Sequence, residues 1–186
     1  SLKGGLYASY AIFDPVPPHM SGWIPLATGL AALETLEDFS IGARLKWPND
    51  ILVDGLKIGG ILSHGVKRGE KRCYVVGTGI NVNNDAPLKT AVSMKDVLEK
   101  EPDLDEVTTS FVNHVVETLS SMKEEASVIY NKYRDSCSTI NRQVEVNTSQ
   151  GLVEGTAVGI NDDGALVVDS NGNKKIILAG DCLHVD

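Results

Sequence analysis

The chain has 186 residues, of which 42% are hydrophobic and 23% charged, a composition typical of a globular protein rather than a disordered one. Its net charge of -8 disfavours nucleic acids, whose phosphates bind lysine and arginine, and no apolar run of about 18 residues predicts a membrane span. Three distant cysteines and four scattered histidines have no zinc-binding spacing, so we expect no transition-metal site and a reducing, cytoplasmic environment.

The first half of the chain carries strand and helix signals in turn. Strand-forming residues run from Leu6 to Phe13 and end at the prolines of positions 15, 17 and 18. Apolar residues between Ile24 and Leu36 recur at helical spacing, with acidic residues elsewhere on the turn, which predicts an amphipathic helix. Strand segments follow at 43–47, 51–53, 56–66 and 73–81. The last three are expected to pair consecutively and antiparallel, with Asp54-Gly55 closing the first hairpin.

The second half predicts helices followed by a β-rich region. A short helix is expected near Met94 to Glu99, and a helical repeat from Leu104 to Arg134 predicts one long helix. Beyond Cys137, turn residues separate five short strands, which suggests a small barrel. The expected strands are 144–146, 152–160, 165–168, 174–178 and 182–185. We therefore expect a catalytic domain over residues 1–136 and a small β-barrel domain over residues 137–186.

Two segments of the predicted hairpin could form a ligand site. They are KWPNDI at residues 46–51 and KIGGIL at residues 57–62. The hairpin would bring the Asn-Asp pair of the first segment near the register of the Gly-Gly pair of the second. Period-two alternation would put Lys57 on the same face as Gly59, which leaves room beside the lysine for a ligand. The alternative is a solvated lysine beside a glycine bulge, with an aspartate that caps a turn.

A third segment, GTGINVNN at residues 77–84, ends an apolar strand. Its glycines allow the backbone to approach a flat or charged ligand, and Asn81 could read the donor and acceptor edges of an adenine. The third glycine and following helix of a dinucleotide-binding fingerprint are absent from the segment. The alternative is a glycine-bearing strand end followed by an asparagine turn.

In this order, the three segments resemble the catalytic core of biotin protein ligases, in which KWPND, K-(I/L/V)-(G/A)-G-(I/V)-L and G-x-G-(I/F/L)-N succeed one another. The opening SLKGGLY is similar to the S-P-x-G-G-L-Y strand start of that family, with Leu2 in place of the proline. The resemblance covers essentially the whole chain. It implies an α+β fold of the class II aminoacyl-tRNA synthetase and biotin synthetase type, in which helices flank a mostly antiparallel mixed sheet and a small SH3-like β-barrel follows.

The resemblance also implies a reaction: ATP activates biotin to biotinyl-5'-AMP, and biotin passes to a lysine of a biotin carboxyl carrier domain. Lys57 would lie between the biotin carboxylate and the α-phosphate, where negative charge accumulates. Asp50 would orient Lys57 or hold the magnesium and ribose end, and ATP phosphates would be the main ligands of Mg²⁺. The implied biotin-binding residues are Lys57, Gly60, Leu62, Gly77, Gly79 and Ile80. The implied ATP- and adenylate-binding residues are Asn49, Asp50, Lys57 and Asn81.

One part of the family pattern is not in this sequence. The GRGRxGR loop of the family should lie just before position 1, so we expect its arginines on a separate N-terminal polypeptide or lost by cleavage of an exposed loop. Two alternatives stay open. One is a lipoate or octanoate transferase of the same fold, which should lack KWPND; the other is an inactive binding or dimerisation module without the phosphate-binding loop. A homodimer also stays open.

Overall fold

The computed structural model describes residues 3–13, 17–69, 71–86, 88–122 and 124–185. Three residues named in the predictions lie outside the described residues: Ser1 and Leu2 of the opening motif, and Pro15 after the first predicted strand. The elements in chain order are β1 (Leu6–Phe13), the 3₁₀ helix η1 (Pro18–Gly22), α1 (Trp23–Asp38), β2 (Arg44–Lys46), β3 (Asp50–Val53), β4 (Leu56–Arg68), β5 (Lys71–Ile80), α2 (Met94–Leu98), α3 (Leu104–Ser121), α4 (Ala126–Ser136), β6 (Gln143–Thr148), β7 (Gly151–Ile160), β8 (Leu166–Ser170), β9 (Asn173–Ile177) and β10 (Asp181–His184).

The first sheet has the strand order β1-β5-β4-β3-β2, and all neighbouring strands in it are antiparallel. The Asp54-Gly55 turn closes the β3–β4 hairpin with positive φ at both residues, and Val53 faces Leu56 across it. A turn of this kind matches the twist of the strands, which is why this dipeptide favours tight hairpins. The predicted run of consecutive antiparallel strands is confirmed.

Helix α1 is buried on almost every side, so the prediction of an amphipathic helix is wrong. Only Glu37 and Asp38, in its last turn, are exposed. The helix contacts β4 of the sheet on one side and α3 and α4 on others. A helix with apolar residues all round is expected in such an internal position. Its acidic residues therefore mark the end of the helix rather than a solvated face.

The predicted long helix from Leu104 to Arg134 is two helices, α3 and α4. The amides of Glu124 and Glu125 both donate to the Ser121 carbonyl, at 3.1 and 2.8 Å, and helical geometry begins again at Ala126. Buried residues continue at helical spacing on both sides of this turn, because both helices pack against α1. The apolar repeat therefore gave no sign of the break.

The C-terminal strands form a second antiparallel sheet, in the order β10-β6-β7-β8-β9. Within the described residues β9 and β10 lie at opposite edges of this sheet, so the predicted closed barrel is wrong. Closing this sheet into a barrel would require β9 and β10 to pair with each other. Instead, the segment 178–180 carries the chain across to β6, where a Cβ on Gly180 would lie 2.7 Å from the Asn147 carbonyl oxygen.

Candidate functional site

A cleft of about 390 Å³ lies over the first sheet, on the face turned away from α1. The strand register aligns Tyr7 with Gly79 and Gly60, and the next step on that face aligns Ser9 with Gly77 and Leu62. Three glycines thus make the floor of the cleft, and they leave space because side chains alternate between the two faces of a sheet. The cleft is lined by Tyr7, Ala8, Ser9, Asn49, Lys57, Gly60, Ile61, Leu62, Gly77, Thr78 and Gly79.

Lys57 and Asp50 form an ion pair at one end of this cleft. The Asp50 carboxylate is three-quarters buried, whereas the Lys57 side chain keeps 49% of its surface exposed. The ammonium is therefore held by a fixed anion yet is still accessible from the cleft. A cation held in this way can bind a second anion without a rearrangement of its side chain.

The face on which Lys57 lies differs from the sequence expectation. A bulge shifts the β3–β4 register, so that Leu52 pairs with Lys57 but Ile51 pairs with Gly59. The bulge puts Lys57 on the face of Gly60, where a Cβ would lie 3.3 Å from Lys57 Nζ. The prediction that Lys57 shares a face with Gly59 is wrong, because one extra residue in a strand reverses the alternation beyond it.

Hydrogen bonds hold the backbone of Lys57 and the turn that precedes Asp50. The Lys57 amide donates to the Thr90 carbonyl at 2.9 Å, and the Val92 amide donates to the Lys57 carbonyl at 3.0 Å. On the other strand, Asn49 Nδ2 donates to the Ile61 carbonyl at 3.0 Å, and the Ile61 amide donates to the Asn49 carbonyl at 2.9 Å. The turn before Asp50 is thereby fastened to β4, so the carboxylate has a defined position.

Gly59 and Gly60 have different local roles. A Cβ on Gly59 would lie 2.7 Å from the Gly79 carbonyl oxygen, so this glycine allows β4 and β5 to approach each other. A Cβ on Gly60 would lie 3.3 Å from the end of the Lys57 side chain, and at an ordinary contact distance of 3.5 Å from the Asn49 carbonyl oxygen. Gly60 is therefore the glycine that keeps room beside the ammonium. Above Gly79, the first atoms that a Cβ would meet belong to the Tyr7 ring, at 3.6 Å.

Two residues predicted for the site lie elsewhere. Ile80 is 1% exposed and belongs to the core, away from the lining of the cleft. Asn81 follows β5 directly; its Nδ2 donates to the Val92 carbonyl at 3.1 Å, and its Oδ1 accepts from Asn84 Nδ2 at 3.0 Å. The described contacts of this amide thus hold the segment that in turn bonds the Lys57 backbone.

Tyr7, Ser9 and Thr78 line the cleft but were not predicted as site residues. The sequence contained a signal that Tyr7 and Ser9 lie on one face of the sheet, since β1 was predicted at its observed bounds and alternate residues of a strand share a face. What the sequence did not contain was the pairing of β1 with β5 at the far side of the sheet. That pairing brings Tyr7 to Gly79 and Ser9 to Gly77.

A larger cleft of about 480 Å³ lies between η1 and α4, lined mainly by apolar and aromatic side chains such as Met20, Trp23 and Tyr130. It contains no ion pair among the described residues. The cleft over the glycines is therefore the better candidate for chemistry between charged groups.

Two family models match the chain. Residues 1–81 match the biotin/lipoate A/B protein ligase family, and residues 139–185 match the biotin protein ligase C terminal domain. The biotin--[acetyl-CoA-carboxylase] ligase of Mycobacterium tuberculosis is 30% identical over 178 residues, which make up 91% of this chain and 65% of that protein. The chain belongs to the biotin protein ligase family.

Solved structures of the ligase family have the same fold. The biotin protein ligase of Aquifex aeolicus matches with a TM-score of 0.85 and 26% identity, over 98% of this chain and 83% of that one. Its complex with biotin and ATP matches with a TM-score of 0.82 and 27% identity, over 97% of this chain and 78% of that one. The bifunctional ligase/repressor BirA of Bacillus subtilis is 26% identical over 94% of this chain and 57% of that protein. This ligase-family chain thus spans less than two thirds of both curated relatives.

The described part of this ligase-family chain lacks two kinds of feature. None of its helices has the length and apolar character needed to cross a bilayer. No group of three or more histidine, cysteine, aspartate and glutamate side chains there is arranged to hold a metal ion.

Proposed function

We propose that this protein activates biotin with ATP and transfers it to a lysine of an acceptor protein. The observation that carries the proposal is the Lys57 ammonium, paired with Asp50 and half-exposed at the end of a glycine-floored cleft. Membership in the ligase family supports it, as does the Aquifex aeolicus relative solved with biotin and ATP. The cleft offers space and one positive charge where two anions must meet.

In the first step a biotin carboxylate oxygen attacks the α-phosphorus of ATP, the bond to the β-phosphate oxygen breaks, and pyrophosphate leaves. Negative charge grows on the α-phosphate oxygens during this step. A fixed ammonium at that point stabilises the transition state more than the separated substrates, and losing one such contact typically costs about 10²-fold in rate. We assign this role to Lys57, and Asp50 keeps the ammonium in place.

In the second step the amine of the acceptor lysine attacks the acyl carbon of biotinyl-AMP, the acyl-phosphate bond breaks, and AMP leaves. The attacking amine must be neutral, so its proton goes to solvent or to a nearby base. No covalent bond to the ligase itself forms in either step. What the protein contributes is therefore positioning and charge stabilisation.

The remaining roles follow from where the side chains lie. Leu62 and the three glycines, Gly60, Gly77 and Gly79, are proposed to border biotin, with Ile80 packing behind this wall. Asn49 fixes the turn that carries Asp50. Asn81 is proposed to meet adenine from the strand end, with one amide hydrogen and one lone pair beyond its described contacts. Mg²⁺ is proposed to arrive with ATP as part of the nucleotide substrate.

Substitution of Lys57 tests the proposal. In the full-length protein we expect Lys57→Gln to reduce biotin-dependent release of pyrophosphate by about 10²-fold or more, because the charge is lost while most of the side-chain length remains. Lys57→Arg should fall between wild type and Lys57→Gln, since a planar guanidinium does not replace a point charge. A pyrophosphate-release assay measures the rate, and mass spectrometry detects the biotinyl-AMP that forms.

Lys67→Gln is the matched control, because Lys67 is an exposed lysine at the far end of the same strand. It should keep wild-type activity. If the unmodified protein forms an adenylate with lipoate or octanoate but none with biotin, the transferase alternative replaces the proposal. If it forms no adenylate with any of the three acids, the inactive-module alternative replaces it.

The acceptor and the location are proposed on the family resemblance. We propose the biotin carboxyl carrier domain of a carboxylase as the acceptor and the cytoplasm as the compartment. Incubation of the enzyme, biotin and ATP with a carrier domain should add one biotin to its acceptor lysine. A carrier whose acceptor lysine is replaced by arginine should remain unmodified, because a guanidinium stays protonated and cannot attack.

A further inference from the structure

Both tryptophans of the chain donate a hydrogen bond to one turn of the C-terminal sheet. Trp23 Nε1 donates to the Asp162 carbonyl at 3.0 Å, and Trp47 Nε1 donates to the Gly164 carbonyl at 3.3 Å. The turn also touches the start of α1 backbone to backbone, since a Cβ on Gly22 would lie 2.1 Å from the Asp163 carbonyl oxygen. The second sheet is thus packed closely against the segment that leads into the site.

A second contact between the two parts of the chain involves Thr139, which is completely buried. Its Oγ1 accepts the Trp47 amide at 3.0 Å and lies 3.1 Å from Nε2 of His184 on β10. Next to it, the amide and the hydroxyl of Ser138 both donate to the Leu45 carbonyl, at 2.7 and 2.9 Å. The backbone of residues 45–47 is therefore bonded to residues 138 and 139, which join α4 to β6.

These contacts end two residues before the site. After Trp47 the chain turns through Asn49, whose carbonyl accepts the Ile61 amide, and reaches Asp50, which pairs with Lys57. A buried amide that loses its acceptor must find another or move, because an unpaired buried donor costs about 1–3 kcal/mol. A shift at Trp47 would pass directly to the Asn49–Asp50 turn.

We propose that Thr139 is a positioning residue for the ligase reaction: its hydroxyl fixes the Trp47 amide and, through the turn that follows, the Asp50 carboxylate that holds Lys57. The C-terminal sheet then acts as a brace for the catalytic segment. The structural part of this inference stands on the hydrogen bonds alone, whereas its effect on rate rests on the proposed function. The two parts can be tested separately.

The test compares Thr139→Val with Thr139→Ser in the full-length protein. Valine has the shape of threonine but cannot accept the Trp47 amide, whereas serine retains the hydroxyl. We expect Thr139→Val to slow biotinyl-AMP formation about tenfold and Thr139→Ser to stay within about twofold of wild type. Thr156→Val is the matched control, since the described contact of Thr156 Oγ1 is an exposed hydrogen bond accepted from Gln143 in the same sheet, at 2.9 Å. It should leave the rate unchanged.

A double-mutant cycle separates positioning from general destabilisation. If Thr139 acts through Asp50, Thr139→Val should cost less than about twofold in an Asp50→Ala background, since coupled residues are non-additive. An undiminished tenfold loss in that background would overturn the proposal. Should Thr139→Val fail to fold, Thr139→Cys, whose thiol is a weak acceptor, replaces it in the same cycle.

Hydrogen exchange tests the structural part without any activity. The Ile61 amide, bonded to Asn49, should exchange about tenfold faster in Thr139→Val than in wild type or in Thr156→Val. Unchanged exchange at Ile61 would show that Thr139 does not hold the turn, whatever the rate. Conversely, if exchange responds as expected but the unmodified protein makes no biotinyl-AMP, the brace stands and the proposed function fails.

Discussion

Among the glycines described in the cleft, only Gly60 has the Lys57 ammonium within 4 Å of its Cβ position. A methyl group added at Gly60 would therefore displace the ammonium. We predict that Gly60→Ala slows biotinyl-AMP formation about tenfold or more, because a displacement of about 1 Å at a reacting centre can cost about 10²-fold. The melting temperature should change by less than about 2 °C, since the end of a lysine side chain is flexible. Pyrophosphate release and thermal unfolding measure the two effects.

Gly59→Ala is the matched variant, one residue away in the same strand. Its Cβ would lie 2.7 Å from the Gly79 carbonyl oxygen, which is backbone and cannot move aside. It should therefore lower the free energy of unfolding by about 1–3 kcal/mol. If Gly60→Ala were equally destabilising, or kept full activity, the separate roles assigned to the two glycines would be wrong.

At the residue scale, the sequence predicted that Asp50 and Lys57 lie close together but not the face of the sheet on which Lys57 lies. The Asp54-Gly55 turn sets the hairpin register, which brings Asp50 to Gly60 as expected. The glycine pair favoured a bulge as the alternative interpretation, but the position of the bulge at Ile58, which moves Lys57 to the face of Gly60, has no local signal of its own. It arises where the buried Ile58 takes a core position between Lys57 and Gly59, and that position depends on packing against the rest of the sheet.

At the element scale, strand bounds and turns were predicted well because they depend on local residues. The helices were predicted less well because their limits depend on neighbours. Nothing in the composition of residues 122–125 forces a break between α3 and α4, since neither glycine nor proline lies there. The break comes from the separate contacts that the two helices make with α1, as does the burial of α1 on all sides.

The end of α1 is joined to α3 by Asp38. Its carboxylate accepts from Ser110 Oγ at 2.7 Å and lies 2.9 Å from His114 Nε2. The hydrogen bond from Ser110, followed by that from His114, lowers the pKa of Asp38 below its ordinary value of 3.8. A lowered carboxylate pKa contributes stability that is present above the ordinary value and is lost as the pH falls through the folded one.

We therefore predict that Asp38→Asn lowers the melting temperature by about 1–3 °C at pH 6, a small effect because the carboxylate is exposed. The difference from wild type should shrink as the pH falls below about 4, when the wild-type carboxylate also becomes neutral. Calorimetry between pH 6 and pH 3 measures this. Glu37→Gln, at the exposed neighbouring position, is the control and should show no such trend. A constant difference across this pH range would contradict the assignment.

At the scale of the whole molecule, the sequence predicted the C-terminal strands but not how they pack against the rest of the chain. Five C-terminal strands were expected and found, whereas closure into a barrel depends on strand order, which turn residues do not specify. Likewise, KWPND predicted a site, yet nothing near Trp47 in sequence indicates that Thr139 and Gly164 bond to Trp47. Contacts over such separations are set by the packing of the two sheets.

The join between the two parts can be tested at Gly164, which has a φ of +79° and where a Cβ would lie 2.7 Å from the Gly22 carbonyl carbon. Gly172 has a similar φ of +85° but has nothing within 4 Å of its Cβ position. Gly172→Ala should thus cost only the left-handed strain, about 1–2 kcal/mol. Gly164→Ala should cost that plus about 1–3 kcal/mol of overpacking, and should also slow biotinyl-AMP formation because the carbonyl that accepts the Trp47 indole moves. Urea unfolding and adenylate formation measure both. Equal losses of stability in the two variants, with unchanged rates, would mean that the C-terminal sheet does not brace the site.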